Sequence, residues 1–338
     1  MFIRLCIPLT LLYILLLSHT IQSQRFSDDF FRSLYDLIPE DRPNYHPVLD
    51  SDIFAGLALA YDKIDRYIAR QKNAIPHLFP AEKVEYYDEH SDIVADLMFH
   101  SRLARTVNCR RSLDNWDCED CEKVLPDAQV VRTFGTYPLD IVGQVVVSKE
   151  KKTIYVVIRG ANSARNHELA RVVQLVDHNF IPKAKVHRGA QIAVEDIKDI
   201  INDTLNMQTR LHPTFRIHVV GHSFGAAIAS LLTVEIHNNV TRATNDNLSG
   251  YFIGKPRVGD EMYAQYVRDN NFDMKRMNHL SDSIPNAPAA SEDGYTHEGT
   301  EYWEYAIEPS RLLKCVGARE SRDCINTIEK RNILDHMM

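Results

Sequence analysis

A serine between two glycines lies where the chain changes from a strand pattern to a helix pattern. Residues 215–220 are mostly apolar and partly β-branched, which predicts a strand, and residues 224–236, which are rich in small residues near their start, predict a helix. Between them, GHSFG at residues 221–225 fits G-x-S-x-G in the strand–turn–helix context of a nucleophile elbow. The alternative is a glycine-rich turn whose serine caps the helix. We predict that Ser223 is a nucleophile and that the backbone N–H of Phe224 stabilises an oxyanion.

A nucleophilic serine needs a general base, and the base needs a carboxylate to orient it. In α/β hydrolases these residues follow the serine in the order acid, then histidine. Asp282 comes just after a predicted strand at residues 274–278, and α/β proteins build their sites at that end of a strand. His297 and His336 both follow Asp282, and their order along the chain does not decide which of them is the base.

Predicted strands and helices alternate along the chain from residue 83 onward. This alternation predicts an α/β fold with a central, mostly parallel sheet covered by helices on both faces. The predicted strands are 130–134, 141–147, 153–158, 215–220, 251–253 and 274–278, and the predicted helices are 84–107, 192–205 and 224–236, with a helix-prone polar segment at 163–176.

The N-terminal region differs from the rest. Residues 1–23 have a positive start, a short apolar run and a small polar end, which is typical of a secretory signal peptide. An uncleaved anchor is the alternative. Residues 24–82 hold no catalytic constellation and are interpreted as a pro-segment or N-terminal cap, or else as part of the main domain at 83–338. No later run of about 18 apolar residues predicts a transmembrane segment, so we expect an extracellular protein.

Composition excludes several other functions. The 338 residues carry a formal net charge of −7, which gives no basic surface for nucleic acid. Neither a phosphate-binding GxxxxGK[ST] motif nor HExxH occurs, and we expect no metal and no organic cofactor. Five cysteines follow the signal region, which predicts disulfides and one odd thiol in a secreted chain. Cys118 and Cys121 could instead form half a zinc site, but no second pair matches them.

Several further motifs occur in a fixed order. Together they resemble the fungal class 3 lipases, the group of the Rhizomucor and Thermomyces enzymes, over residues 84–336. The motifs are TIYVVIRG at 153–160, KVHRG at 185–189, GHSFGAAIA at 221–229, GKPRVGD at 254–260, NHLSDSIPNAP at 278–288, HEGTEYW at 297–303 and ILDH at 333–336. The resemblance implies the α/β-hydrolase fold with a lid segment.

The same resemblance assigns roles to individual residues. It implies that Asp282 is the acid and His336 the base, and that His297 is structural. The second oxyanion donor would be the backbone N–H of Ala161, where the family usually carries Ser or Thr. Residues 162–180 resemble the lid, although His167 replaces the lid tryptophan.

The resemblance also implies a pairing of cysteines and an activity. The disulfides would be Cys118–Cys121 and Cys315–Cys324, and the fate of Cys109 stays open. The implied protein is a secreted carboxylic ester hydrolase, a triacylglycerol lipase that meets a lipid–water interface through its lid. An esterase of other specificity, of feruloyl type or a phospholipase, and a non-catalytic lipid-binding pseudoenzyme are the alternatives.

Overall fold

A computed structural model describes residues 83–290, 294–307, 310–316, 320–328 and 330–336. The predicted signal peptide at 1–23 and the pro-segment or cap at 24–82 lie outside the described residues. Within the described part, no helix combines the length and the apolar character that a membrane span requires.

Among the described residues, nine strands form one sheet in the order β1-β11-β10-β9-β8-β7-β4-β3-β2. The five central strands, β4, β7, β8, β9 and β10, run parallel, and two antiparallel strands flank them at each edge. Strands β5 and β6 pair separately. The strands are β1 (Lys83–Asp88), β2 (Gln129–Gly135), β3 (Val142–Ser148), β4 (Thr153–Ile158), β5 (Leu175–Asp177), β6 (Lys185–His187), β7 (Arg216–His222), β8 (Leu248–Ile253), β9 (Asp273–His279), β10 (Thr300–Ile307) and β11 (Ser310–Val316).

Helices cover both faces of this sheet. Strand β4 is buried along its whole length, and its alternate side chains belong to two different apolar clusters. Helices α5 and α6 pack on one face and α1 on the other, which confirms the predicted fold class. The helices are α1 (Asp92–Thr106), α2 (Arg110–Asn115), α3 (Glu119–Val124), α4 (Ala164–Ala170), α5 (Arg188–Leu211), α6 (Phe224–Asn239) and α7 (Glu261–Asp269).

Two predicted segments were wrong in type. Residues 84–107 were predicted as one helix, but they contain β1, a turn and then α1. The strand forms because its backbone pairs with β11, more than 220 positions away, with Lys83 opposite Val316. Likewise only Ala164–Ala170 of the helix-prone segment 163–176 is helical, and Leu175 already belongs to β5. In both places tertiary pairing overrides local propensity.

A pair of histidines is buried beneath α1, on the side of the sheet that faces this helix. His100 Nδ1 donates to the carbonyl of Asp96 (2.8 Å), and His100 Nε2 lies 2.9 Å from His218 Nδ1. The His100 ring stacks on Tyr251 with centroids 3.4 Å apart. Burial lowers the pKa of His218 to about 3 and the pKa of His100 well below its ordinary value. The folded protein therefore keeps both rings neutral.

This pair predicts acid-sensitive stability. The unfolded chain takes up protons near the ordinary pKa of 6.5, whereas folded His218 does so only near 3. Falling pH in that window therefore favours unfolding. We expect the free energy of unfolding from urea titrations to fall between pH 7 and pH 4. His100→Gln should be less stable at pH 8 but show a shallower pH slope, by at most about 1.4 kcal/mol per pH unit.

His90 offers the matched control because its side chain is 86% exposed. His90→Gln should reproduce both the stability and the pH slope of the wild type. Equal slopes for wild type and His100→Gln would contradict the prediction.

Candidate active site

Ser223 lies on a sharp turn between β7 and α6. Its φ of 58° and ψ of −130° fall outside the conformations that a residue with a Cβ usually adopts. Close packing around it excludes other side chains. A Cβ on Gly221 would lie 2.4 Å from the carbonyl oxygen of Gly225, and a Cβ on Gly225 would lie 2.5 Å from that of Arg159. The glycines of the pentapeptide are therefore required by contact with neighbouring backbone.

The turn places the serine hydroxyl at the positive end of α6, a helix of 16 residues. The backbone N–H of Ser223 donates to the carbonyl of Ile253 at the end of β8 (2.9 Å). Ser223 is completely buried. Its Oγ makes no hydrogen bond with any of the described residues.

Asp282 and His336 meet at the same edge of the sheet. His336 Nδ1 donates to Asp282 Oδ2 (2.8 Å), and the other carboxylate oxygen accepts from the backbone N–H of Ile284 (2.9 Å). Both side chains are buried. Because Nδ1 donates to Asp282, Nε2 is the nitrogen of His336 that can accept a proton in the neutral ring, and this atom has no hydrogen-bond partner among the described residues.

Gly254 leaves room for this pair. It follows β8 with a φ of +54°, and a Cβ there would lie 2.8 Å from the His336 ring and 2.9 Å from Asp282 Oδ2. Sequence analysis did not single out this glycine, although it opens the GKPRVGD motif. Only a residue without a side chain permits the two partners to approach each other here.

The end of β4 lies directly against Ser223. A Cβ on Gly160 would be 3.4 Å from Cβ of Ser223, and Ala161 follows Gly160 in the chain. Ala161 and Phe224 are both buried. The strand end is fixed by Arg159, whose guanidinium pairs with Asp140 (3.2 Å). One predicted oxyanion donor, Phe224, therefore follows Ser223 in the chain. The other, Ala161, follows the glycine of β4's end that packs against Ser223.

His297 is placed away from this pair and has a different set of contacts. It is buried, its Nε2 donates to the carbonyl of Pro285 (2.7 Å), and its backbone N–H donates to Glu320 (3.1 Å). Burial, with the nearby charges of Arg276, Lys255 and Arg257, holds its pKa well below the ordinary value. His297 therefore supports the loop that follows Asp282.

Arg257 supports the same loop from a buried ion pair. Its guanidinium donates to the carbonyls of Asn286 and Pro288 and forms two hydrogen bonds with the Glu320 carboxylate. Nearby, Lys255 and Glu298 form a second, completely buried ion pair (2.8 Å). Sequence analysis missed these residues, because no local pattern marks a buried arginine.

The segment that resembles a lid, residues 162–180, contains α4 and β5. Ser163 and Asn166 form a capping box at the start of α4. His167 and Leu169 are buried, whereas Ala164 is exposed and Val172 half-buried. The segment therefore turns only part of its apolar side chains inward.

Two disulfides lie outside the candidate site. The Cys118–Cys121 disulfide joins the residue just before α3 to a residue within this helix. The Cys315–Cys324 disulfide joins β11 to the residue just before the turn Ile325–Thr327. These are the two pairs that the family resemblance implies, and Cys109 belongs to neither. In the described part of the chain no cluster of His, Cys, Asp and Glu is arranged to hold a metal ion.

Known sequences that are similar to this chain include lipases. Residues 155–292 match the family model described as Lipase (class 3). The chain is 34% identical to the lipase of Rhizopus niveus over 241 residues, which is 70% of this chain and 61% of that protein. The match thus spans less than two thirds of this relative. A lipase of Rhizomucor miehei is 29% identical over 250 residues, 73% of this chain and 68% of that protein.

Solved structures agree. Lipase II from Rhizopus niveus superimposes with a TM-score of 0.70 at 32% identity, covering 75% of this chain and 96% of that one. A triacylglycerol lipase whose catalytic centre is described as a serine protease triad gives a TM-score of 0.70 at 28% identity, with the same coverage. The ordered motifs, the sheet topology and these matches agree, and the chain belongs to the class 3 lipase family.

Proposed function

We propose that this chain is a secreted serine ester hydrolase that acts on triacylglycerols, with Ser223, Asp282 and His336 as its catalytic residues. The observation that carries the proposal is the buried His336–Asp282 hydrogen bond of 2.8 Å at the sheet edge where the Ser223 turn lies. Three segments far apart in the sequence converge there.

The residues support a two-step acyl transfer. Ser223 Oγ attacks the ester carbonyl while His336 Nε2 takes its proton, and Asp282 stabilises the imidazolium that forms. His336 then gives the proton to the leaving alcohol. A water molecule loses a proton to His336 and attacks the acyl-enzyme, which releases the fatty acid and restores Ser223.

The tetrahedral intermediate needs donors for its oxyanion. The backbone N–H groups of Phe224 and Ala161 would supply them, supported by the N-terminal end of α6. Alanine at 161 keeps the backbone donor but lacks the hydroxyl that Ser or Thr would add. We therefore expect a weaker oxyanion site than the family usually has.

Access to the serine requires a conformational change. Ser223 has no exposed surface, so an acyl chain reaches Oγ only when covering residues move. Residues 162–180 are the proposed lid, and their half-buried apolar side chains would meet a lipid surface. One structural relative, 28% identical with a TM-score of 0.72, is described as a model for interfacial activation in lipases.

Secretion and processing are part of the proposal. Residues 1–23 would direct export, and residues 24–82 would be the pro-segment that precedes the hydrolase domain at 83–338. A relative from Fusarium solani, 28% identical over 225 residues, is named a secreted mono- and diacylglycerol lipase. A 27% identical structure from Rhizomucor miehei, with a TM-score of 0.71, is described as a lipase–propeptide complex.

A lipid-binding pseudoenzyme is the second candidate. Ser223 Oγ and His336 Nε2 are both buried, and no hydrogen bond joins them in this structure. Catalytic hydrogen bonds often tighten only when substrate binds, so this geometry does not remove His336 as the base. Reaction with a fluorophosphonate distinguishes the two candidates, because only an activated serine is labelled.

The serine is tested by Ser223→Ala. We expect the fold to be unchanged, while ester hydrolysis falls by several orders of magnitude, as when a serine protease loses a triad member. The measurement is kcat on purified protein, with circular dichroism as the control for folding. Turnover close to that of the wild type would disprove the assignment.

The base is tested by comparing two histidines. His336→Ala should lose about as much kcat as Ser223→Ala, because no other group takes the serine proton. His297→Ala should keep most of its activity but lose roughly 1–3 kcal/mol of stability, since it leaves the carbonyl of Pro285 buried without its donor. An inactive, folded His297→Ala beside an active His336→Ala would reverse the assignment.

The substrate class is tested with p-nitrophenyl esters of increasing chain length, with and without micelles. A lipase should prefer long acyl chains and gain activity when an interface is present, because the lid then exposes apolar side chains to lipid. A preference for acetate or for aromatic acids, with no gain at an interface, would favour an esterase of other specificity.

A further inference from the structure

The proposed base lies at an end of the described chain. The terminal turn, Ile333–His336, is one short 3-10 helix. Three contacts fix one side of it to the Asp282 loop. The backbone N–H of Asn332 donates to the carbonyl of Ser281 (2.8 Å), Asp335 accepts from the N–H of Ser281 (3.0 Å), and His336 donates to Asp282.

His222 holds this turn from the other side. Its Nε2 donates to the carbonyl oxygen of His336 (3.0 Å), and the two rings stack with centroids 4.5 Å apart at 28°. Burial, and next the neighbouring His336, lower the pKa of His222 to about 3. The ring is therefore neutral at working pH, and the carbonyl acceptor fixes its single proton on Nε2.

The free nitrogen of His222 is directed elsewhere. A Cβ placed on Gly160 would lie 3.7 Å from Nδ1, which puts this atom toward the end of β4. Nε2 is occupied by the carbonyl of His336. Nδ1 therefore carries the free electron pair of the ring and lies at the end of β4, while Nε2 is committed to the backbone of His336.

We infer that His222 is a positioning residue that holds the catalytic base by hydrogen-bonding the backbone of His336. The inference rests on the proposed function of Ser223 and His336. Because His222 directly precedes Ser223, one strand end then sets the position of nucleophile and base together. A base that moves by about 1 Å loses roughly 100-fold in rate, although its side chain is intact.

The test separates the hydrogen bond from the ring. His222→Phe keeps an aromatic ring for stacking but removes the donor, and His222→Leu removes both. His222→Gln places an amide N–H at a similar reach. With a p-nitrophenyl ester we expect kcat to fall roughly 10- to 100-fold in the Phe and Leu variants with KM unchanged. The Gln variant should recover most of this loss.

A second measurement does not depend on catalysis. Hydrogen–deuterium exchange of the peptide that carries the terminal turn should be faster in the Phe and Leu variants and nearly normal in the Gln variant. His237→Phe is the matched control, since His237 lies in the last turn of α6, about 20 Å from Ser223, in contact with Phe272. It should change neither kcat nor exchange of that peptide.

The outcomes are distinct. Wild-type kcat and exchange in both the Phe and Leu variants would overturn the inference, and so would a Gln variant as impaired as the Phe variant, since restoring the N–H donor would then restore nothing. If the wild type is inert to a fluorophosphonate, the proposed function fails. In that case exchange of the terminal peptide alone decides whether His222 holds the turn.

Discussion

The positive φ of Ser223 is the constraint on which the surrounding structure depends. Such a conformation costs on the order of 1–3 kcal/mol and persists only where neighbours leave the chain no alternative. Here β7, β8 and the end of β4 hold the turn from three sides, through the bond from Ser223 to Ile253 and the close packing of Gly221 and Gly225. The first turn of the helix that follows contains small, buried residues, so the helix packs close to the sheet.

Asp282, the proposed acid, is held in place by different interactions. Asp282 lies in a loop, and loop carbonyls that are buried need donors. Arg257 and His297 supply them, and Glu320 neutralises Arg257 within the same cluster. Removing one partner from such a buried pair leaves an uncompensated charge, which is costly. The loop geometry therefore depends on a buried ion pair and on His297, and the contact of His297 with Pro285 agrees with the structural role expected for it.

The sequence was informative where the signal was local. The turn at Ser223 and strand β4 could be predicted because β-branched residues favour a strand and glycines permit a tight turn, and both effects depend only on neighbouring residues. Strand β1 was missed because it pairs with β11, more than 220 positions away in the chain, and strands β10 and β11, which pair with each other, were not predicted either. His336 could be chosen over His297 only through the family resemblance, since chain order allows both. His222 belongs to the GHSFG motif, but its hydrogen bond joins it to His336, 114 positions further along the chain. No rule based on residue spacing predicts such a contact.

The proposed nucleophile and the proposed base are held with unequal strength. Ser223 is built into the central sheet, so it loses its geometry only when the core unfolds. His336 is held by a buried Ile333 and a few hydrogen bonds on a single turn outside the sheet, and segments with few buried contacts open with less free energy than core strands. Undocking of that turn would separate His336 from Asp282 while the rest of the domain stays folded. If these residues act as proposed, activity should be lost under milder conditions than the global fold.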